Sequence, residues 1–268
     1  MNFFRAVGRS LRLLWMFGVF GTELAVKRPA TREQRADWLH RFCARALWEL
    51  GIGIRVVGGE FPERGAVISN HLSYVDIIVF AALHPCVFVS KAEIEKWPVV
   101  GWMTTMAGTV YVARGHGGSA MRARRGIEAA VDAGLPVVFF PEGTTTNGSQ
   151  LLKFHSGLLA QVLDGGAPIT AAYLGYSFAE DNGPGVNVAD DVCYWGDRNM
   201  VAHIFKFLAL RGVRAEVRFA PEPIAFSSDR LHRKMAAVEA RAAVAALGAE
   251  GGCREECTIS DSTNVHLP

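Results

Sequence analysis

No charge of either sign dominates this chain of 268 residues, in which 28 lysines and arginines face 26 aspartates and glutamates for a net charge of +2. Such a balance argues against nucleic acid as the main partner, and no basic run is interleaved with aromatics as a single-strand binder requires. Cysteine is scarce. The five present, Cys43, Cys86, Cys193, Cys253 and Cys257, are odd in number and scattered, which excludes a disulfide scaffold and fits a reducing compartment. Cys253 and Cys257 with His266 lack a second matching pair, so no metal site is assigned there. Long apolar runs are missing too: Leu13 to Thr22 carries no charge but reaches only about half the length of a bilayer-spanning helix. No G-x4-G-K-[ST] occurs, and Gly51-x-Gly53 lacks a third glycine and precedes a strand, which sets aside P-loop and dinucleotide folds. A G-x-S-x-G elbow is absent as well.

What remains is a chain half apolar and a fifth charged, enough for one domain with a large core plus appendages. The local excess of positive charge lies at the start, where Arg5, Arg9, Arg12, Lys27 and Arg28 face a lone Glu23. That sign suits a segment lying on anionic lipid, with Trp15, Phe17 and Phe20 at the headgroup boundary. Two other readings stay open, a secretory leader with a poor cleavage site around Glu23 to Lys27 and a helix packed on the core. After Pro29, Thr31 and Gln34 form a capping-box signature ahead of the apolar stripe Trp38, Leu39, Phe42, Ala46, Leu47 and Leu50, which Gly51 ends. Residues 1–50 are therefore expected to form an amphipathic helical hairpin that associates with membrane.

Beyond it, strand-like runs fall at 54–57, 66–69, 87–90, 109–113, 136–140, 169–174 and 215–219. Helical patterns separate most of them, at 75–83, 93–106, 119–133 and 154–163, with a last helix at 228–247. Apolar, non-alternating strands between helices predict an α/β fold, a mainly parallel sheet flanked by helices over residues 51–248, followed by a polar, disordered tail at 249–268. In such sheets, sites gather at the carboxyl ends of strands. Three polar clusters occupy those places: Asn70-His71-Leu72-Ser73-Tyr74-Val75-Asp76, then Arg114-Gly115, then Pro141 to Thr146. A histidine held by a carboxylate five residues on, an arginine for an anionic group and a glutamate in a Gly/Thr turn suit deprotonation of a hydroxyl beside an anionic moiety. Ser73 reads as a helix N-cap, Tyr74 as packing, and Lys153 as a solvated side chain near the third cluster. Trp97, Val99, Val100, Trp102, Met103 and Met106 read as core, with an acyl groove as the sharper alternative.

In order and spacing, NHLSYVD, GTVYVAR (108–114), FPEGTTT (140–146) and a looser APITAAYL (167–174) resemble the four blocks of the glycerolipid and lysophospholipid acyltransferases, the 1-acylglycerol-3-phosphate acyltransferase family. The resemblance covers about residues 50–220. It implies that His71 is the general base, that Asp76 orients and charges its ring, that Arg114 holds the acceptor's anionic group, and that Glu142, Gly143 and Thr144 form the rest of the acceptor site. It also implies transfer of a fatty acyl group from acyl-CoA or acyl carrier protein to a lysophospholipid hydroxyl, with no cofactor, at the cytoplasmic face of a membrane. Two departures bear on the acceptor: Ala113 and Thr145 stand where the family usually has Asp and, in phosphatidate-forming members, Arg. The resemblance therefore extends to members that acylate lyso-ornithine lipid or other lysolipids. A non-catalytic lipid-binding protein is the reading from a different class.

Overall fold

Strand burial decides the architecture. In the computed structural model, which describes residues 2–96, 100–112, 117–227 and 233–252, the central strands β2 (Ala66–Ile68) and β5 (Val137–Phe139) are buried at every position. A strand buried on both faces needs a layer on each side, and alternate residues divide accordingly. Val67, Val138, Ala172 and Leu174 face one apolar cluster, whereas Ala66, Ile68, Val137, Phe139 and Ala171 face the other.

The seven strands are ordered β1 (Gly53–Gly58), β7 (Val213–Phe219), β6 (Ile169–Phe178), β2, β5, β3 (Val87–Lys91) and β4 (Val110–Val112). Strands β2 to β6 are mutually parallel, so their carboxyl ends share one rim. β7 runs antiparallel to β6 and parallel to β1, so the pair at that edge points the other way. All seven predicted strands are found, and the mainly parallel sheet is borne out with this reversed edge as the exception.

On one face lie α1 (Phe3–Lys27), α2 (Arg32–Leu50), α3 (Val75–Leu83) and α8 (Met200–Ala209), with the short α7 (Val188–Asp191) beside α8. The other face carries α5 (Gly117–Asp132), α6 (Ser156–Asp164) and α9 (Arg233–Gly252). Between β3 and β4, a 3-10 turn (Ala92–Lys96) precedes α4 (Val100–Met106), where one continuous helix was expected. Trp97 and Val99 lie outside the described residues, and Met106 packs against the first cluster. The last helix continues to Gly252, past the expected start of a tail, and the residues beyond it lie outside those described.

The N-terminal hairpin forms as its caps dictate. Thr31 Oγ1 accepts the Gln34 N–H and Gln34 Oε1 accepts the Thr31 N–H, while Gly51 closes α2 at φ 65°. Phe20 turns inward, its ring 5.4 Å from Phe42 and 6.2 Å from Trp38, so it holds the two helices together rather than facing outward. The arginines of α1 also turn to protein. Arg5 donates to the Ala209 carbonyl, Arg9 to the Leu208 and Leu210 carbonyls, and Arg12 pairs with Glu49. Arg5 and Arg9 thereby satisfy carbonyls that the end of α8 leaves without helical partners. Phe3, Phe4, Leu11, Leu14, Trp15 and Val19 are left exposed, Trp15 at 76%. Among the described residues no helix is long and apolar enough to cross a membrane.

Candidate active site

The rim where β2 and β5 end carries the first and third polar clusters side by side. Past Ile68 the chain leaves β2 through buried Ser69 and Asn70. Asn70 ties the exit to β6: its Oδ1 accepts the Leu174 N–H at 2.8 Å and its Nδ2 donates to the Leu174 carbonyl at 2.9 Å. The next residue, His71, is thereby fixed at the sheet edge.

A tight turn then brings Asp76, in the first turn of α3, back beneath the imidazole. His71 Nδ1 and Asp76 Oδ2 are 2.8 Å apart. The same oxygen accepts the N–H of Leu72 at 2.6 Å and of Ser73 at 3.0 Å, while Oδ1 accepts the hydroxyl of Tyr176 at 2.7 Å. Asp76 is fully buried, so four donors meet a charge that water does not reach. With Nδ1 donating to the carboxylate, Nε2 is the accepting nitrogen of a neutral ring. The histidine side chain is 17% exposed, and among the described residues Nε2 has no hydrogen-bond partner. Ser73 does not cap α3: Tyr74 occupies the N-cap position without a side-chain capping bond, and among the described residues the buried Ser73 Oγ has no partner. The Asp76 carboxylate instead holds the Leu72 and Ser73 amides of the turn that precedes the helix.

Phe140, next after β5, stacks on the His71 ring with centroids 4.0 Å apart and planes 7° apart. The third cluster follows, turning at Gly143 with φ 66°, a conformation that suits glycine. Glu142 is 3% exposed, and its two oxygens accept the N–H of His71 and of Leu152, each at 2.8 Å. Burial pushes its carboxyl above the ordinary range, while the Leu152 and His71 amides pull it down. Arg241 of α9 donates to the carbonyls of Leu151 and Leu152, so the last helix steadies the same loop. The Thr146 N–H closes the site by donating to the His71 carbonyl at 2.9 Å. Thr144 is exposed beside this turn.

The structure thus joins His71, Asp76, Glu142, Gly143 and Thr144 on one rim. Arg114 lies outside the described residues; β4, which precedes it, is three strands along from β2, about 14 Å at ordinary strand spacing. Three participants had no expected role: Asn70, Phe140 and Tyr176. Phe140 belongs to a recognised block, but its partner is set by the tertiary fold, and Tyr176 lies past the end of the apolar run that marked β6.

A family profile described as Acyltransferase matches residues 53–175, the segment that builds this rim. The lyso-ornithine lipid O-acyltransferase of Pseudomonas aeruginosa is 35% identical over 209 residues, covering 77% of this chain and 75% of the relative. The chain belongs to the acyltransferase family. This acyltransferase is also 32% identical over 178 residues to the 1-acyl-sn-glycerol-3-phosphate acyltransferase of Neisseria meningitidis serogroup B, covering 65% of this chain and 69% of that one. Its fold matches the crystal structure of the 1-acyl-sn-glycerophosphate acyltransferase PlsC from Thermotoga maritima with a TM-score of 0.59 at 19% identity, over 91% of this chain and 98% of that one. An acyltransferase of this fold has the helix-flanked parallel sheet that the pattern of strands and helices predicts.

Proposed function

We propose that this acyltransferase moves a fatty acyl group from an acyl thioester, acyl-CoA or acyl carrier protein, to the free hydroxyl of a lysolipid at the cytoplasmic surface of a membrane. The observation that carries the proposal is the partly exposed His71 ring, held at Nδ1 by Asp76 with Nε2 left without a hydrogen-bond partner among the described residues. His71 Nε2 takes the hydroxyl proton as the oxygen attacks the thioester carbonyl. The tetrahedral adduct then collapses, breaking the carbon–sulfur bond, and the departing thiolate takes the proton back from the imidazolium. A positioned base of this kind contributes about 100- to 10,000-fold. No acyl-enzyme is needed, consistent with the missing nucleophile elbow.

Glu142 supports the reaction by holding the His71 and Leu152 amides, since both its oxygens are taken by them. The acceptor-binding part then falls to Gly143 and Thr144 at the exposed side of the turn, with Arg114 for the anionic headgroup. The relatives' names include lyso-ornithine lipid and 1-acylglycerol-3-phosphate acceptors. Thr145, in place of an arginine, favours an acceptor other than a bare phosphomonoester. Membrane association rests on the outward apolar row of α1.

The test is a panel of lysolipids, lyso-ornithine lipid and 1-acylglycerol-3-phosphate among them, with acyl-CoA and acyl carrier protein donors, read by mass spectrometry and by thiol release. Acylated product that disappears in a folded His71→Ala variant is the expected result. Unaltered turnover in that variant would remove His71 from the mechanism, and thiol release independent of any lysolipid would make the enzyme a thioesterase.

A further inference from the structure

Tyr176 lies on β6 one residue beyond the stretch that the family profile matches. Strand alternation puts it on the face of Ala172 and Leu174, toward α3, where its hydroxyl donates to Asp76 Oδ1 at 2.7 Å. Three donors, His71 Nδ1 and the Leu72 and Ser73 amides, all reach Oδ2. Among the described residues, Oδ1 has this tyrosine as its one partner. We propose that Tyr176 is a positioning residue for the acyl transfer. It fixes the plane of the Asp76 carboxylate and draws off part of the negative charge that faces His71.

The effect of Tyr176 is electrostatic and rests on the reading of His71 as the base. Each hydrogen bond to a buried carboxylate disperses its charge, and in a poorly screened interior that dispersal is felt by the next group in the chain. A carboxylate relieved of the tyrosine holds a protonated imidazole more firmly. The base then stays protonated to higher pH and returns its proton to the thiolate less readily. Burial and the adjoining Asp76 charge hold the Tyr176 phenol well above its ordinary range, so it remains a donor wherever the enzyme works. The other titratable groups near the pair are Glu142, Cys193 and Tyr74. Burial raises the thiol of Cys193 to about 12 and raises the phenol of Tyr74, so both stay neutral. Glu142 keeps its two amide donors whatever occupies position 176.

The experiment measures kcat/KM against pH for the wild type, for Tyr176→Phe and for protein carrying a ring-fluorinated tyrosine at position 176, with His71→Ala alongside. Loss of the donor is expected to lower kcat with acceptor KM nearly unchanged, and to move the acid limb of the profile up by about half a pH unit or more. The fluorinated phenol, a stronger donor of nearly the same shape, is expected to move that limb down, and it remains informative if the phenylalanine variant fails to fold. Opposite displacements support the proposal. An unmoved limb in the fluorinated protein, with His71→Ala inactive, overturns it and leaves the base assignment standing. An active His71→Ala overturns both.

Discussion

The side-chain amide of Asn70 pairs with the backbone of Leu174 as a peptide unit would, accepting its N–H at 2.8 Å and donating to its carbonyl at 2.9 Å. One side chain thereby extends the ladder between β2 and β6 past the end of the shorter strand, right up to His71. Asn70→Asp keeps the acceptor but sets an oxygen against the Leu174 carbonyl. Loss of about 1–3 kcal/mol in urea unfolding is expected, with a fall in turnover because the neighbouring histidine loses its anchor. An unchanged unfolding midpoint would show that the pairing does not hold the exit of β2.

Glu142 braces two loops with one carboxylate. In Glu142→Gln the amide offers an oxygen to one backbone N–H and confronts the other with a second donor. A misplacement of the base by a fraction of an ångström to an ångström costs up to about 100-fold. The variant should therefore lose about 10- to 100-fold in kcat while acceptor KM changes much less. A KM effect with kcat intact would instead place the carboxylate on the acceptor.

His203 lies buried with Nδ1 at the Tyr74 hydroxyl and Nε2 at the Cys193 carbonyl. Burial, against the pull of that carbonyl, lowers its pKa below the ordinary 6.5. The folded chain then binds fewer protons than the unfolded one between the two values, so this contribution to stability is complete above 6.5 and is lost as pH falls through the folded value. Urea midpoints followed from pH 7.5 to pH 5 should fall more steeply for the wild type than for His203→Gln. Parallel curves would show that the ring does not set the acid sensitivity.

Because Arg5, Arg9 and Arg12 are engaged by protein groups, attachment of α1 to lipid should be driven by apolar area. Flotation with anionic vesicles is expected to change little between low and high salt. Replacing Leu14 or Trp15 by serine should weaken binding by about 10-fold or more each. Release by salt, with the serine variants binding normally, would point to an electrostatic attachment.

The strands and the His71 and Asp76 pair were legible because each depends on neighbours in the chain: an apolar run, and a carboxylate five residues past a histidine. The cap of α2 was legible for the same reason, as Thr31 and Gln34 show, whereas Ser73 reads as a cap that α3 does not use. Features set by distant partners were not. β6 reads as ending at Leu174 because Gly175 and Tyr176 break the apolar run, yet the strand continues to Phe178 against β7. The short α7 and α8 went unread, although α8 receives the arginines of α1. Those arginines look like lipid ligands in sequence, because charge alone does not reveal that carbonyls 199 to 204 positions away will claim them.

That claim has a mechanical result. Two guanidinium groups hooked over the end of α8 act as a rotational stop on the long first helix, so its turning about its own axis is settled by the protein itself. The row from Phe3 to Val19 is displayed ready-made, already helical and already aimed. A peptide that coils only on reaching an interface spends much of its binding energy on becoming ordered. Here the ordering is complete beforehand, so an apolar surface meeting that row would not have to supply it.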